Sequence, residues 1–179
     1  MNPQIKKHYD NLDESLNRLF SELDPLDPAL LNRKPAADKW SVTEVMSHLH
    51  TSEKMSGQYI RKKLQYRDGI KPSGFQGALR SFFLRAVFGL PLKFKAPKVA
   101  RPPADTGDYA SLREAWKAER QSLRALLDTF PEELIDKQTF KHPLAGKMDI
   151  RQALGFFQTH FDRHYQQIQN TLKVVRTMP

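Results

Sequence analysis

The chain has 179 residues, 39% apolar and 27% charged, a balance that fits a single globular domain over residues 1–179 and excludes a disordered or membrane-spanning protein. It has no cysteine, which excludes a disulfide framework, a thiolate nucleophile and a cysteine metal site, so any metal falls to His, Asp or Glu. The formal net charge of +9 is a local feature, because residues 69–104 contain Lys71, Arg80, Arg85, Lys93, Lys95, Lys98 and Arg101 and no acid.

The first twenty residues, MNPQIKKHYDNLDESLNRLF, carry charges throughout and lack the apolar stretch of a secretory signal. No run of about 18 apolar residues follows anywhere, so no transmembrane helix is expected and a cytoplasmic location is. Ile5, Tyr9, Leu12, Leu16, Leu19, Phe20 and Leu23 recur at three- and four-residue spacing and predict an amphipathic first helix, ended by DPLDP. In WSVTEV, Ser41 is placed to cap a second helix and Glu44 to close the capping box, with Trp40 and Val45 at the staple positions. That helix is expected to reach about Tyr66.

Glycines and prolines weaken the pattern between Asp68 and Gly107, where GALRSFFLRAVFGL predicts one short helix and PLKFKAPKVARPPADTG an extended, irregular stretch. A third long helix fits DYASLREAWKAERQSLRALLDTF, with Leu112, Trp116, Leu123, Leu126 and Leu127 on one side. After a turn at PEELIDK and a loop at TFKHPLAGKM, Asp149 and Gln152 form a second capping box for a fourth helix reaching about Val174. No segment reads as a strand. The expectation is an all-α, four-helix bundle in which the long link from the second to the third long helix leaves room for a crossover.

Bundle cores are where helices present ligands to one another, and the last helix carries His160 and His164 at i, i+4 spacing in FFQTHFDRHYQQI. At about 100° per residue, Leu154, Phe157, Phe161, Ile168 and Leu172 fall within about 40° of Ile150, with His164 about 40° and His160 about 80° away on one flank. Such a pair can share an ion, but a histidine at the edge of an apolar face is as readily hydrogen-bonded structure. A third imidazole would change that balance, since three protein ligands with an open position make a catalytic zinc-type site. The second helix offers His48 and His50, which project about 160° apart, so at most one faces a common point, and the helical wheel does not choose between them. His8 and His142 are less attractive, one near a helix end and one in a proline-containing loop.

WSVTEVMSHLHTSEK, followed about a hundred residues later by HPLAGKMDIRQALGFFQTHFDRHYQQIQ, resembles the DinB-like family of four-helix-bundle metalloenzymes. Members of that family commonly show a Trp-Ser helix start and a His-Leu pair with a Glu behind it. Near the C-terminus they carry a His-Pro loop, then His-x-x-x-His and a Gln-Ile, and all these parts stand here in that order. The resemblance implies that the metal ligands are His48, His160 and His164, holding a divalent ion such as zinc, nickel or iron. It matches Glu53 to the family glutamate, for which a role beside the ligands or in acid–base chemistry stands against a buried carboxylate paired with Lys or Arg. It also implies a small-molecule substrate, with low-molecular-weight thiol transfer or a hydrolase-like reaction as the chemistry, and it admits a homodimer.

The basic segment 69–104 departs from the family pattern by its length. It supports a competing reading, an interaction protein that binds an anionic surface through ALRSFFLRAVFGLPLKFK or attracts nucleic acid. Nucleic acid is the weaker form, because no helix-turn-helix, zinc finger or stacking pattern is present. The serines lack a nucleophile-elbow context, and GIKPSGFQG has neither Walker spacing nor a preceding strand.

Overall fold

A computed structural model describes residues 1–66, 69–74, 106–142 and 146–178. Four long helices form the body: α1 (Pro3–Leu23), α3 (Val42–Gln65), α4 (Tyr109–Asp128) and α5 (Ile150–Val175). A five-residue helix, α2 (Pro28–Asn32), sits between the first two. Its start is set by Asp27, whose side chain accepts from the Ala29 amide, and by Pro28 in the first turn, but five residues are too few for an apolar period to announce it.

The helix starts are chemically defined. Ser41 accepts from the Glu44 amide while Glu44 accepts from the Ser41 amide, and Asp149 and Gln152 repeat the exchange at α5. Asp108 caps α4 through the Ser111 amide and hydroxyl. The apolar stripe of α1 is buried at each predicted position from Ile5 to Leu23. Trp40 packs against the cluster that contains Val45, as a staple residue does.

Side-chain contacts give the relative directions. Gln4 meets Arg151, Ser15 meets Gln158 and Glu22 meets Tyr165, so α1 and α5 run parallel. Tyr9 reaches the Arg120 carbonyl and Asp24 reaches Tyr109, so α4 runs antiparallel to α1. Glu53 meets Trp116 and Arg61 meets Ser122, so α3 and α4 lie side by side and parallel. The consecutive helices α3 and α4 therefore point the same way, in keeping with the crossover for which the link length leaves room. The short helix predicted within 69–104 falls outside the described residues.

One departure from the sequence reading concerns TFKHPLAGKM. Instead of a loop throughout, Phe140–His142 (β1) pairs antiparallel with Gly146–Met148 (β2), with Phe140 opposite Met148, Lys141 opposite Lys147 and His142 opposite Gly146. Phe140, His142 and Met148 turn inward and both lysines outward, the alternation of a half-buried ribbon. Strands of three residues are too short to show that period in advance. Gly146 holds φ at +76°, a conformation that a side chain would resist. Phe140 anchors the ribbon on Phe157 of α5 and Tyr59 of α3, with ring centroids 5.7 and 6.0 Å away.

No helix among the described residues is long and apolar enough to cross a membrane. Because Ser41 satisfies an otherwise orphaned amide at the start of α3, Ser41→Ala is expected to cost about 1 kcal/mol, read as a lower urea midpoint with an unchanged m-value.

Candidate metal centre

His48 is on α3, and His160 and His164 are one turn apart on α5, which runs antiparallel to α3 and packs against it. The structure brings the three rings together. His48 Nε2 lies 3.2 Å from His160 Nε2, and one ring nitrogen from each of the three lies within 4.8 Å of the others. Ring centroids are 5.1 Å apart for His48 and His160, 4.7 Å for His48 and His164, and 4.7 Å for His160 and His164. An ion held at about 2.1 Å by tetrahedral ligands places them about 3.4 Å apart. At 3.2 Å, two imidazole lone pairs repel unless a proton or a cation lies between them.

Neighbours fix the rings. Gln167 Oε1 is 2.8 Å from His164 Nδ1 and, as an acceptor, places the proton there, which leaves Nε2 free to donate its lone pair. Phe156 stacks on His160 at 5.5 Å with the planes 15° apart, and Trp40 lies 5.3 Å from His48. His48 is buried, and His160 and His164 are half-buried. His50, the alternative on α3, turns away toward Trp116, 6.5 Å between ring centroids.

Burial and the neighbouring imidazoles hold His160 well below the usual 6.5, and burial, with the charge of His48 behind it, takes His164 down to about 4. His142, on the ribbon and 4.4 Å from Phe156, is likewise pushed down to about 4 by burial. The rings are neutral near pH 7, the form that a metal requires.

Glu53 faces α4. Its Oε2 accepts from Trp116 Nε1 at 3.1 Å and Arg120 Nη2 at 2.9 Å, and its Oε1 is 2.9 Å from Arg120 Nε. Both side chains are buried. The carboxylate is thus engaged in a buried ion pair with an arginine, the structural role weighed for it. Glu53 and His160 both line a small cavity, together with Leu12, Leu49, Ser52, Ser56 and a set of aromatic rings.

A family model for the DinB superfamily matches residues 11–168. The chain belongs to the DinB superfamily. A further relative is the uncharacterized protein YuaE of Bacillus subtilis, 26% identical over 160 residues that cover 87% of this chain and 91% of YuaE. Among solved structures, YfiT from Bacillus subtilis, described as a probable metal-dependent hydrolase with an unusual four-helix bundle topology, aligns with a TM-score of 0.60. It is 21% identical and the match covers 97% of this chain and 88% of YfiT. A conserved protein from Enterococcus faecalis aligns with a TM-score of 0.55 at 17% identity, over 97% of each chain. These likenesses show the DinB-superfamily fold of the chain.

Residues around the triad escaped the sequence reading of this DinB-superfamily chain. Gln167 was visible as part of the Gln-Ile that follows the histidines, three residues after His164 and hence on the same helical face, but its bond to the ring was not. Phe156 is four residues before His160 and reads as core until its stacking is seen. Arg120 stands among other cations on α4, and nothing local marks it as the buried one.

Two outcomes follow. His142, His160 and His164 bind protons more weakly folded than unfolded, so unfolding takes up protons between about pH 6.5 and pH 4. Stability of chelator-treated protein is fully present above pH 6.5 and falls as pH drops through that window, measured as the urea midpoint. Glu119 and Asp149, whose carboxyls burial pushes up, oppose this loss only near the ordinary carboxylate range. Arg120→Ala strands a buried carboxylate and is expected to cost about 3–5 kcal/mol, whereas the double change Glu53→Met with Arg120→Met is tolerated, as thermal denaturation of the two variants will show.

Proposed function

We propose that His48, His160 and His164 hold one divalent ion, zinc, nickel or iron, and that the protein is a metal-dependent enzyme acting on a small molecule. The observation that carries this reading is the 3.2 Å approach of two imidazole nitrogens with a third ring beside them, two of the three held neutral by burial. The residues fit the group: three imidazole nitrogen donors converge, one of them oriented by Gln167.

When bound, such an ion supplies uncompensated positive charge, since no ligand is anionic, and favours the ionised form of a water or thiol near neutral pH. The chain's own residues do the rest. Gln167 and Phe156 keep two ligand rings in place. Hydrolysis by activated water is supported by the description of YfiT as a probable metal-dependent hydrolase. Thiol transfer uses the same site with a low-molecular-weight thiol in place of water.

The test is metal analysis of protein made without an affinity tag, followed by titration with zinc, nickel and iron(II). One ion per chain is expected, and it should be lost in His160→Ala and in His164→Ala while the helical circular dichroism is retained. Native protein that is isolated without metal and binds none on titration overturns the reading.

A further inference from the structure

We propose that the exposed stripe of α3, together with the β1–β2 ribbon beside it, is a docking surface for a membrane that contains acidic lipids. The inference goes beyond the metal reading and does not depend on it.

Five large apolar side chains are exposed among the described residues, and three of them, Met55, Tyr59 and Tyr66, stand on α3 or its C-cap. They are 41%, 40% and 68% exposed. At about 100° per residue they fall, with the exposed Lys62, within an arc of about 60°, so they form one stripe about 16 Å long. Glu53, Gly57 and Ile60, on the other side of the same stretch, are buried and hold the helix in the bundle. The stripe itself has no part in that packing.

The ribbon adds charge next to the stripe. The Phe140 ring lies 6.0 Å from that of Tyr59, while Lys141 and Lys147 stand directly opposite each other on the outer face. Like charges so placed oppose the pairing of their own strands. The chain that leaves α3 is held close by, since Pro72 pairs with Lys137 and the Lys71 carbonyl accepts from the Gln138 amide at 2.9 Å. None of Lys62, Lys71, Lys137, Lys141 and Lys147 forms an ion pair with a described residue. The acids of the 129–149 segment do not offset them: Asp136 pairs with Arg151, Asp149 caps α5, and Glu132 and Glu133 sit on the turn after α4.

This combination selects the partner. A methionine and two tyrosines enter the headgroup layer with the phenol hydroxyls still wet, and lysine stems let the ammonium groups reach lipid phosphates. A second copy of the chain would also cover the apolar stripe, but a two-fold contact sets the lysines of one copy near those of the other. Duplex nucleic acid would match the lysines and leave Met55 uncovered.

The test is sedimentation with vesicles of phosphatidylcholine alone and of phosphatidylcholine mixed with phosphatidylglycerol. Binding is expected to the mixed vesicles only, and weaker in high salt. Lys141→Gln with Lys147→Gln should weaken it about thirtyfold, and Met55→Ser with Tyr66→Ser about tenfold, each with the helical circular dichroism retained. Because the chain has no cysteine, Met55→Cys carries a single environment-sensitive fluorophore. Its emission should shift to the blue on the mixed vesicles. The same label on Asn11→Cys, exposed on α1, which packs on α4 and α5, should not shift. Indifference to the mixed vesicles, binding left unchanged by either double variant, or a Met55→Cys shift no larger than the Asn11→Cys one would overturn the inference. With indifference, light scattering would show a second copy on the stripe as a dimer lost in Met55→Ser with Tyr66→Ser, and a gel shift with duplex DNA would show the lysines serving nucleic acid.

Discussion

The meeting of α3 and α5 is the constraint on which the functional reading of this protein depends. Two antiparallel helices share a contact in which a buried histidine of one reaches a pair, spaced by one turn, on the other. The pair is supplied by helical geometry alone, since i and i+4 share a face. The third ring requires that α3 be held at a fixed height and rotation against α5. Apolar packing supplies that, through Val45, Leu49 and Phe161 near the triad and Ile60, Leu154 and Phe157 further along.

Electrostatics divides the interior into two regions that do not compete. Around the triad, burial and the neighbouring imidazoles keep His160 and His164 uncharged. Across the cavity, Glu53 and Arg120 bring the same helix α3 into register with α4, with Trp116 completing the set. A lone carboxylate so close to the histidines would raise their affinity for protons, and the arginine removes most of that field. Glu53 is therefore one half of a buried ion pair.

The long helices were legible because their signals are local. Capping boxes at Ser41 and Asp149 and apolar stripes of period 3.6 depend on residues within a few positions of one another, and each reappears where the pattern placed it. The ribbon at Phe140–His142 and Gly146–Met148 was not, because a three-residue strand is stabilised by where it lands, on Phe157 and Tyr59, more than by its own sequence. The helix α2 was missed for the same shortness.

The candidate site splits along the same line. From the residues alone came the His160 and His164 pair and two alternatives on the partner helix, with a family resemblance preferring His48. Rotation of α3 in the packed bundle decided that His48 faces the pair and His50 faces Trp116, because a helical wheel fixes angles within a helix and says nothing of its neighbour. The partner of Glu53, the cavity between Glu53 and His160, and the Gln167 bond were also decided only by packing. Each is a contact between surfaces set by the rotation and offset of whole helices or by side-chain rotamers, and no local pattern in the chain encodes those quantities.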